Sequence, residues 1–124
     1  IPEATIAALD TLGKEVSTLI VGGFDRGVDY KKLAKRIAKS NIHTLILFPT
    51  TGEAIWKHLA QEKHVITPSF VDTMDNAVRI AYENTKKGDI CLLSPAASSF
   101  NLFRDYSDRG EQFTKAVIKY GTKQ

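Results

Sequence analysis

Short runs of aliphatic and β-branched residues recur along this chain, each set apart from the next by a stretch with helical spacing. That alternation constrains the fold more than any other feature. The apolar runs are Ser17–Val21, Thr44–Phe48 and Ile90–Leu93, with a weaker one at His64–Thr67. Between them, Ile6, Leu9 and Leu12 mark one helix face, ended by Gly13, and Leu33 with Ile37 marks a second. Ala54, Ile55, His58 and Leu59 mark a third. Val71, Met74, Val78, Ala81 and Tyr82 mark a longer fourth that runs to Lys87-Gly88. Phe113, Ala116, Val117 and Tyr120 mark a fifth, ended by Gly121. Strands that are apolar on both sides and separated by helices require a parallel sheet covered on both faces. The expected fold is therefore α/β: a Rossmann-like open, mostly parallel sheet with helices on both faces and right-handed crossovers.

The 124 residues suit one domain, and no repeat or linker divides residues 1–124. No apolar run approaches the roughly 20 residues of a membrane span, so no membrane partner is expected. Seventeen basic side chains against 14 acidic ones leave a net charge of +3. That excess is mild, and no dense basic run is interleaved with aromatics, so no nucleic-acid partner is expected either. Lys31, Lys32, Lys35, Arg36 and Lys39 lie opposite Leu33 and Ile37 and read as a solvated helix face. The single cysteine, Cys91, excludes an internal disulfide, and its apolar neighbours predict a buried, inert thiol. The chain opens Ile1-Pro2-Glu3, without Met or a signal-like stretch, and is expected to be a fragment.

In an open parallel sheet, ligands bind beyond the carboxyl ends of the strands. Two such ends differ from ordinary turns. The first, Gly22-Gly23-Phe24-Asp25-Arg26-Gly27, has glycines that permit close backbone approach to a ligand. It does not have the G-x-G-x-x-G spacing, and G-x-x-x-x-G-K-S/T is found nowhere in the chain. Arg26 offers a planar, multi-donor group suited to a carboxylate or phosphate. A surface arginine paired with Asp25 or Asp29 fits the spacing equally. In the second end, Ser94-Pro95-Ala96-Ala97-Ser98-Ser99-Phe100, Ser98 and Ser99 can donate hydroxyl hydrogen bonds, and a loop here can add backbone N–H groups to hold an anion. Turn chemistry or helix capping accounts for the same serines. No nucleophile elbow is present, His43, His58 and His64 show no metal-like spacing, and the carboxylates are scattered. No catalytic residue and no metal ligand are named in this chain. Trp56 and Met74 sit on helix faces and read as core.

The stretch GDICLLSPAASSFNLFRDYSDRGEQF, Gly88 to Phe113, resembles the end of the Mur ligase family in its D-glutamate-adding branch. There the pattern runs approximately G-D-x-x-L-L-S-P-A-x-A-S-x-D-x-F, then an aromatic residue, R-G and F. Gly22 to Gly27 is similar to the family's G-G-x-D-K/R turn, and Glu3–Leu9 to the helix that opens its third domain. The resemblance covers the whole chain as that third, C-terminal domain, itself Rossmann-like. It implies a cytoplasmic ligase that uses ATP and Mg2+, held mainly by a central domain, to join glutamate to UDP-N-acetylmuramoyl-alanine through an acyl phosphate. A monomer is expected, and the isolated chain is expected to be inactive.

Carried over by position, Arg26 falls on the family's basic contact to the glutamate carboxylate and Ser99 on its glutamate-binding serine. Phe100 follows in the same loop, and Tyr106 falls on the aromatic lining the pocket. Asn101 stands where the family has Asp. The family's threonine contact and an acidic residue near the nucleotide fall before Ile1, so neither a complete glutamate site nor a complete ATP site is expected here. A related ligase domain adding another amino acid, or a non-catalytic Rossmann-like binding module, remains compatible with the same residues.

Overall fold

The computed structural model describes residues 2–23, 27–94 and 106–121. Helix α1 (Pro2–Leu12) passes through a single 3₁₀ turn (Gly13–Glu15) into strand β1 (Val16–Gly22). Then follow α2 (Lys31–Ala38), β2 (Thr44–Phe48), α3 (Thr51–Leu59), β3 (Thr67–Phe70), α4 (Met74–Asn84), β4 (Ile90–Ser94) and α5 (Tyr106–Gly121). The described strands pair in the order β3-β2-β1-β4, and every pairing is parallel.

Side-chain alternation along β1 and β2 builds two cores. Leu19, Val21, Leu45 and Leu47 face one way and pack with Leu9 of α1, Leu33 and Ile37 of α2, and Ile55 and Leu59 of α3. Ile20, Ile46 and Phe48 face the other way, onto Met74, Ala77, Val78 and Ala81 of α4 and Ala116 of α5. Helices on both faces of a parallel sheet make this the expected α/β, Rossmann-like architecture. From β1 to β2 to β3 the chain moves steadily outward, with α2 and α3 on the first face. It then crosses back over β2 and β1 to β4, with α4 on the second face. Reversing direction and face together keeps all three crossovers in one hand, as a uniformly twisted sheet requires.

Two expected elements are displaced. The weak strand expected at His64–Thr67 lies instead at Thr67–Phe70. His64 Nδ1 accepts the Ile66 N–H at 3.1 Å, closing a local turn that takes these residues out of the ladder, and Val65 is 90% exposed. Pro68 can enter the strand because β3 lies at the sheet edge, where a missing N–H leaves no partner wanting. The fourth helix begins at Met74 rather than Val71, because Thr73 caps it and accepts the Asn76 N–H at 3.2 Å. It ends at Asn84, and Thr85 Oγ1 is instead paired with Thr18 Oγ1 at 2.7 Å.

Helix α5 runs antiparallel to α4. Lys119 Nζ and Tyr120 Oη of its last turn donate to the two oxygens of Asp75, at 3.0 and 2.5 Å, in the first turn of α4. The Tyr120 hydrogen bond, and then Lys119, hold the Asp75 carboxyl below its ordinary range. The basic face of α2 is exposed as expected, with Arg36 paired to Asp10 at 2.7 Å. Met74 is core, whereas Trp56 is half-buried, edge-on to His64 with ring centroids 5.4 Å apart. Cys91 is half-buried in β4, and burial pushes its thiol up to about 11. Such a thiol stays protonated and unreactive near neutral pH.

Candidate functional site

The strand order reverses beside β1, so the crevice of the fold opens between the carboxyl ends of β1 and β4. Val21 is level with Ser94 on one side, and Gly22 is level with Phe48 on the other. The two segments singled out in the sequence therefore spring from neighbouring strands at the one position where this topology makes a ligand crevice.

Glycine is required where the crevice is tightest. Gly22 has φ +131°, and a Cβ there would lie 2.4 Å from the Phe48 carbonyl oxygen. Gly23 has φ +134°. At Gly52, in the first turn of α3, a Cβ would lie 2.7 Å from Leu47 Cβ, so only glycine lets α3 sit directly on β2. The N-terminus of α3 consequently reaches the same edge as the Gly22-Gly23 turn. Its first-turn N–H groups have no partner within the helix and carry partial positive charge, which favours an anion nearby.

Buried hydroxyls tie this edge together. The Thr51 N–H donates to the Gly23 carbonyl at 3.0 Å, and the Tyr30 hydroxyl lies 3.3 Å from Thr51 Oγ1. Thr5 of α1 and Ser94 of β4, both buried, share a hydrogen bond between their hydroxyls. The Lys31 N–H donates to Asp29 Oδ1 at 2.9 Å, which starts α2 just after the first turn. None of Thr5, Tyr30, Thr51 and Ser94 was expected as a site residue. Thr5 and Ser94 are 89 positions apart, and no local pattern signals such a pair.

Arg26, Ser99 and Phe100 lie outside the described residues, as does Asn101. Tyr106 opens α5, and its side chain lies outside the described part. What the structure brings together is thus the roots of both loops, Gly22-Gly23 and Ser94. A cavity of about 730 Å³, lined by Tyr82, Thr85, Cys91, Phe113 and Val117 among others, lies toward the amino end of β4. The size of a cavity is a weaker guide than topology in an open α/β sheet, so the carboxyl edge is the candidate site. Among the described residues no group of three or more His, Cys, Asp or Glu side chains could hold a metal ion, and no helix is long and apolar enough to cross a membrane.

Residues 2–97 match the family described as "Mur ligase, glutamate ligase domain". The chain belongs to this family. It is 39% identical to a UDP-N-acetylmuramoylalanine–D-glutamate ligase of Cytophaga hutchinsonii over 112 residues, which are 90% of this chain and 24% of that protein. It is 38% identical to the ligase of the same name from Caldanaerobacter subterraneus, over 94% of this chain and 26% of that protein. The corresponding protein of Aquifex aeolicus is 36% identical over 98% of this chain and 28% of its own length. This Mur ligase domain therefore spans about a quarter of the curated relatives it matches. Family membership accords with the sheet topology and with the absence of a phosphate-loop motif in these 124 residues.

Proposed function

We propose that this chain is the C-terminal, amino-acid-binding domain of a three-domain, ATP-dependent carboxylate–amine ligase that adds D-glutamate to UDP-N-acetylmuramoyl-alanine. The observation that carries the reading is the adjacency of the Gly22-Gly23 and Ser94 loop roots at the sheet's switch point, in a domain of this family. The choice of D-glutamate and of the UDP-linked acceptor is supported by the names of the relatives.

Glutamate brings two carboxylates and an amine, so its binder must supply cationic and neutral donors and leave the amine free to attack. Arg26 provides the charge-assisted donor, and Ser99 provides a hydroxyl from the neighbouring loop. Phe100 and Tyr106 supply walls that exclude water from the side chain. No phosphate-loop motif occurs in this chain, which supports a division of labour in which other domains hold most of the nucleotide. ATP and Mg2+ are assigned mainly to the central domain of the full-length protein. The domain's own part is to bind the amino acid, orient its amine and close over the acceptor. The full-length enzyme is read as a cytoplasmic monomer.

Steady-state ligation by the full-length enzyme, with each substrate varied in turn, tests this. Removing a charge-assisted donor costs about 1.5–3 kcal/mol, so Arg26→Ala raises the glutamate KM roughly ten- to a hundredfold. Ser99→Ala raises it roughly two- to tenfold, and the dependence on ATP stays unchanged in both. An unchanged glutamate KM in Arg26→Ala removes the site assignment. A preference for another amino acid over D-glutamate makes this a sister ligase.

A further inference from the structure

The carboxyl edge of the sheet carries a hollow at the opposite corner from Ser94. It encloses about 390 Å³ where the ends of β2 and β3 meet α3 and α4, and Pro49, Phe70 and Ile80 form its apolar walls. Its charged walls are Glu53, Asp72 and Arg79, and Arg79 is bonded to Glu83 at 3.0 Å, so the hollow is acidic on balance. Phe70 closes β3 yet stays 54% exposed. Pro68 denies the outer edge of β3 an N–H and so discourages another strand from pairing there. What fits the exposed ring is therefore a side chain seated from above the edge, not a lateral strand.

Helix α1 begins on this same edge: Thr5, in its first turn, shares a hydrogen bond with Ser94, the last residue of β4. Chain leading into α1 thus arrives at the carboxyl edge. The domain spans about a quarter of its relatives, which leaves a body about three times its size. Such a body, if compact, has a radius of gyration of roughly 20 Å. The ends of β4 and β3 are three strand spacings apart, roughly 14 Å, so a body tethered beside β4 overhangs β3 as well. We propose that the hollow beside Phe70 is a docking surface for the preceding part of the full-length protein, filled by an apolar side chain with a lysine or arginine next to it. This rests on the proposed function, which makes this chain the last domain of a longer ligase. Docking here holds the carboxyl edge against the domains that carry nucleotide and acceptor, so it acts on turnover and not on the fold of this domain.

The test uses the full-length enzyme, alone and with a non-hydrolysable ATP analogue plus UDP-N-acetylmuramoyl-alanine. Phe70→Cys places a thiol in the hollow. Val65→Cys places one at the opposite, amino end of β3, where Val65 is 90% exposed. Alkylation is read at each position by peptide mass. Exposures of 54% and 90% differ less than twofold, whereas docking for about nine-tenths of the time slows the Phe70→Cys thiol about tenfold. Phe70→Glu should lower kcat about tenfold, the scale of one lost aromatic anchor, with the melting temperature unchanged. Slowed alkylation at position 70 in either state, with position 65 fast, supports the surface. Fast alkylation at position 70 in both states overturns it, as does a full kcat in Phe70→Glu. Protection that grows with enzyme concentration overturns it too, because a second copy then covers the hollow. Arg26→Ala separates this from the proposed function. If it raises the D-glutamate KM while position 70 stays unprotected, the docking surface is wrong and the site assignment stands. If position 70 is protected and Arg26→Ala has no effect, the surface stands and the site assignment falls.

Discussion

Strands β2 and β4 have nearly the same composition and opposite surroundings. β2, Thr44-Leu45-Ile46-Leu47-Phe48, is buried at every position, while β4, Ile90-Cys91-Leu92-Leu93-Ser94, is half-buried at all but its last. The difference lies in place rather than chemistry. Among the described strands β2 has a neighbour on each side, whereas β4 pairs with β1 alone. The helices follow the same asymmetry: α2 and α3 close over the middle of the sheet, while Cys91 and Leu93 are only partly covered from the α4–α5 side. An aliphatic run thus states that a strand belongs in a sheet without stating which strand it will be. At the carboxyl edge the contrast inverts in function. Central β1 supplies a tight, sterically fixed root, Gly22, and outer β4 supplies a polar root, Ser94, held by Thr5.

The strongest way to break this comparison is at Gly22. A side chain there meets both positive-φ strain, about 1–3 kcal/mol, and overpacking against the backbone of Phe48, about 1–3 kcal/mol more. Gly22→Ala should therefore cost about 2–6 kcal/mol in denaturant unfolding. A loss under about 1 kcal/mol would mean that β1 and β2 can part at this end, and the tight root would be fictitious.

A matched pair of truncations compares the two strands directly. Leu47 is 0% exposed, and Leu47→Ala should cost about 2–5 kcal/mol. Leu92 is half-buried in β4 and has less buried area to lose, so Leu92→Ala should cost roughly half as much. Equal losses from urea melts of the two variants would show that β4 is as well covered in solution as β2.

Cys91 sharpens the comparison with the smallest perturbation, since nothing is mutated. Its thiol is pushed up to about 11 from an ordinary 9.0 by burial alone. At pH 8 the folded protein should then carry about a hundredfold less thiolate than the unfolded chain, and alkylate slower by a similar factor. Because the folded state holds this proton more tightly, the stability linked to it is complete below pH 9. It is lost as pH rises from about 9 toward about 11. Equal alkylation rates for folded and unfolded chains would show that β4 is hydrated like an open strand.

Much of the fold was legible because the signals are local. A helix face is written within a few residues by its 3.6-residue period, and β1, β2 and β4 are written by apolar runs flanked with glycine, proline or polar turns. The third strand was legible only approximately. Choosing between His64–Thr67 and Thr67–Phe70 depends on a hydrogen bond from Ile66 to His64 and on a proline that only an edge can accept. Likewise the start of α4 depended on Thr73 outcompeting Val71, an apolar residue with the right spacing that is buried just before the helix begins.

The candidate site divides the same way. Sequence determined which two segments are chemically unusual, because glycines after a strand and clustered serines are local facts, and a 26-residue stretch carried the family resemblance. Sequence could not determine that the two segments are neighbours. That needed the order β3-β2-β1-β4, in which the last strand returns past two others to lie beside the first. Nor could it determine the supports: Thr5 with Ser94, and Thr51 with both Gly23 and Tyr30, join residues 21 to 89 positions apart. Local patterns arise from steric and solvation preferences within a few residues. Which buried hydroxyl meets which is decided only when the sheet has assembled and water has left, since each must then find a partner among the groups that packing has placed within reach.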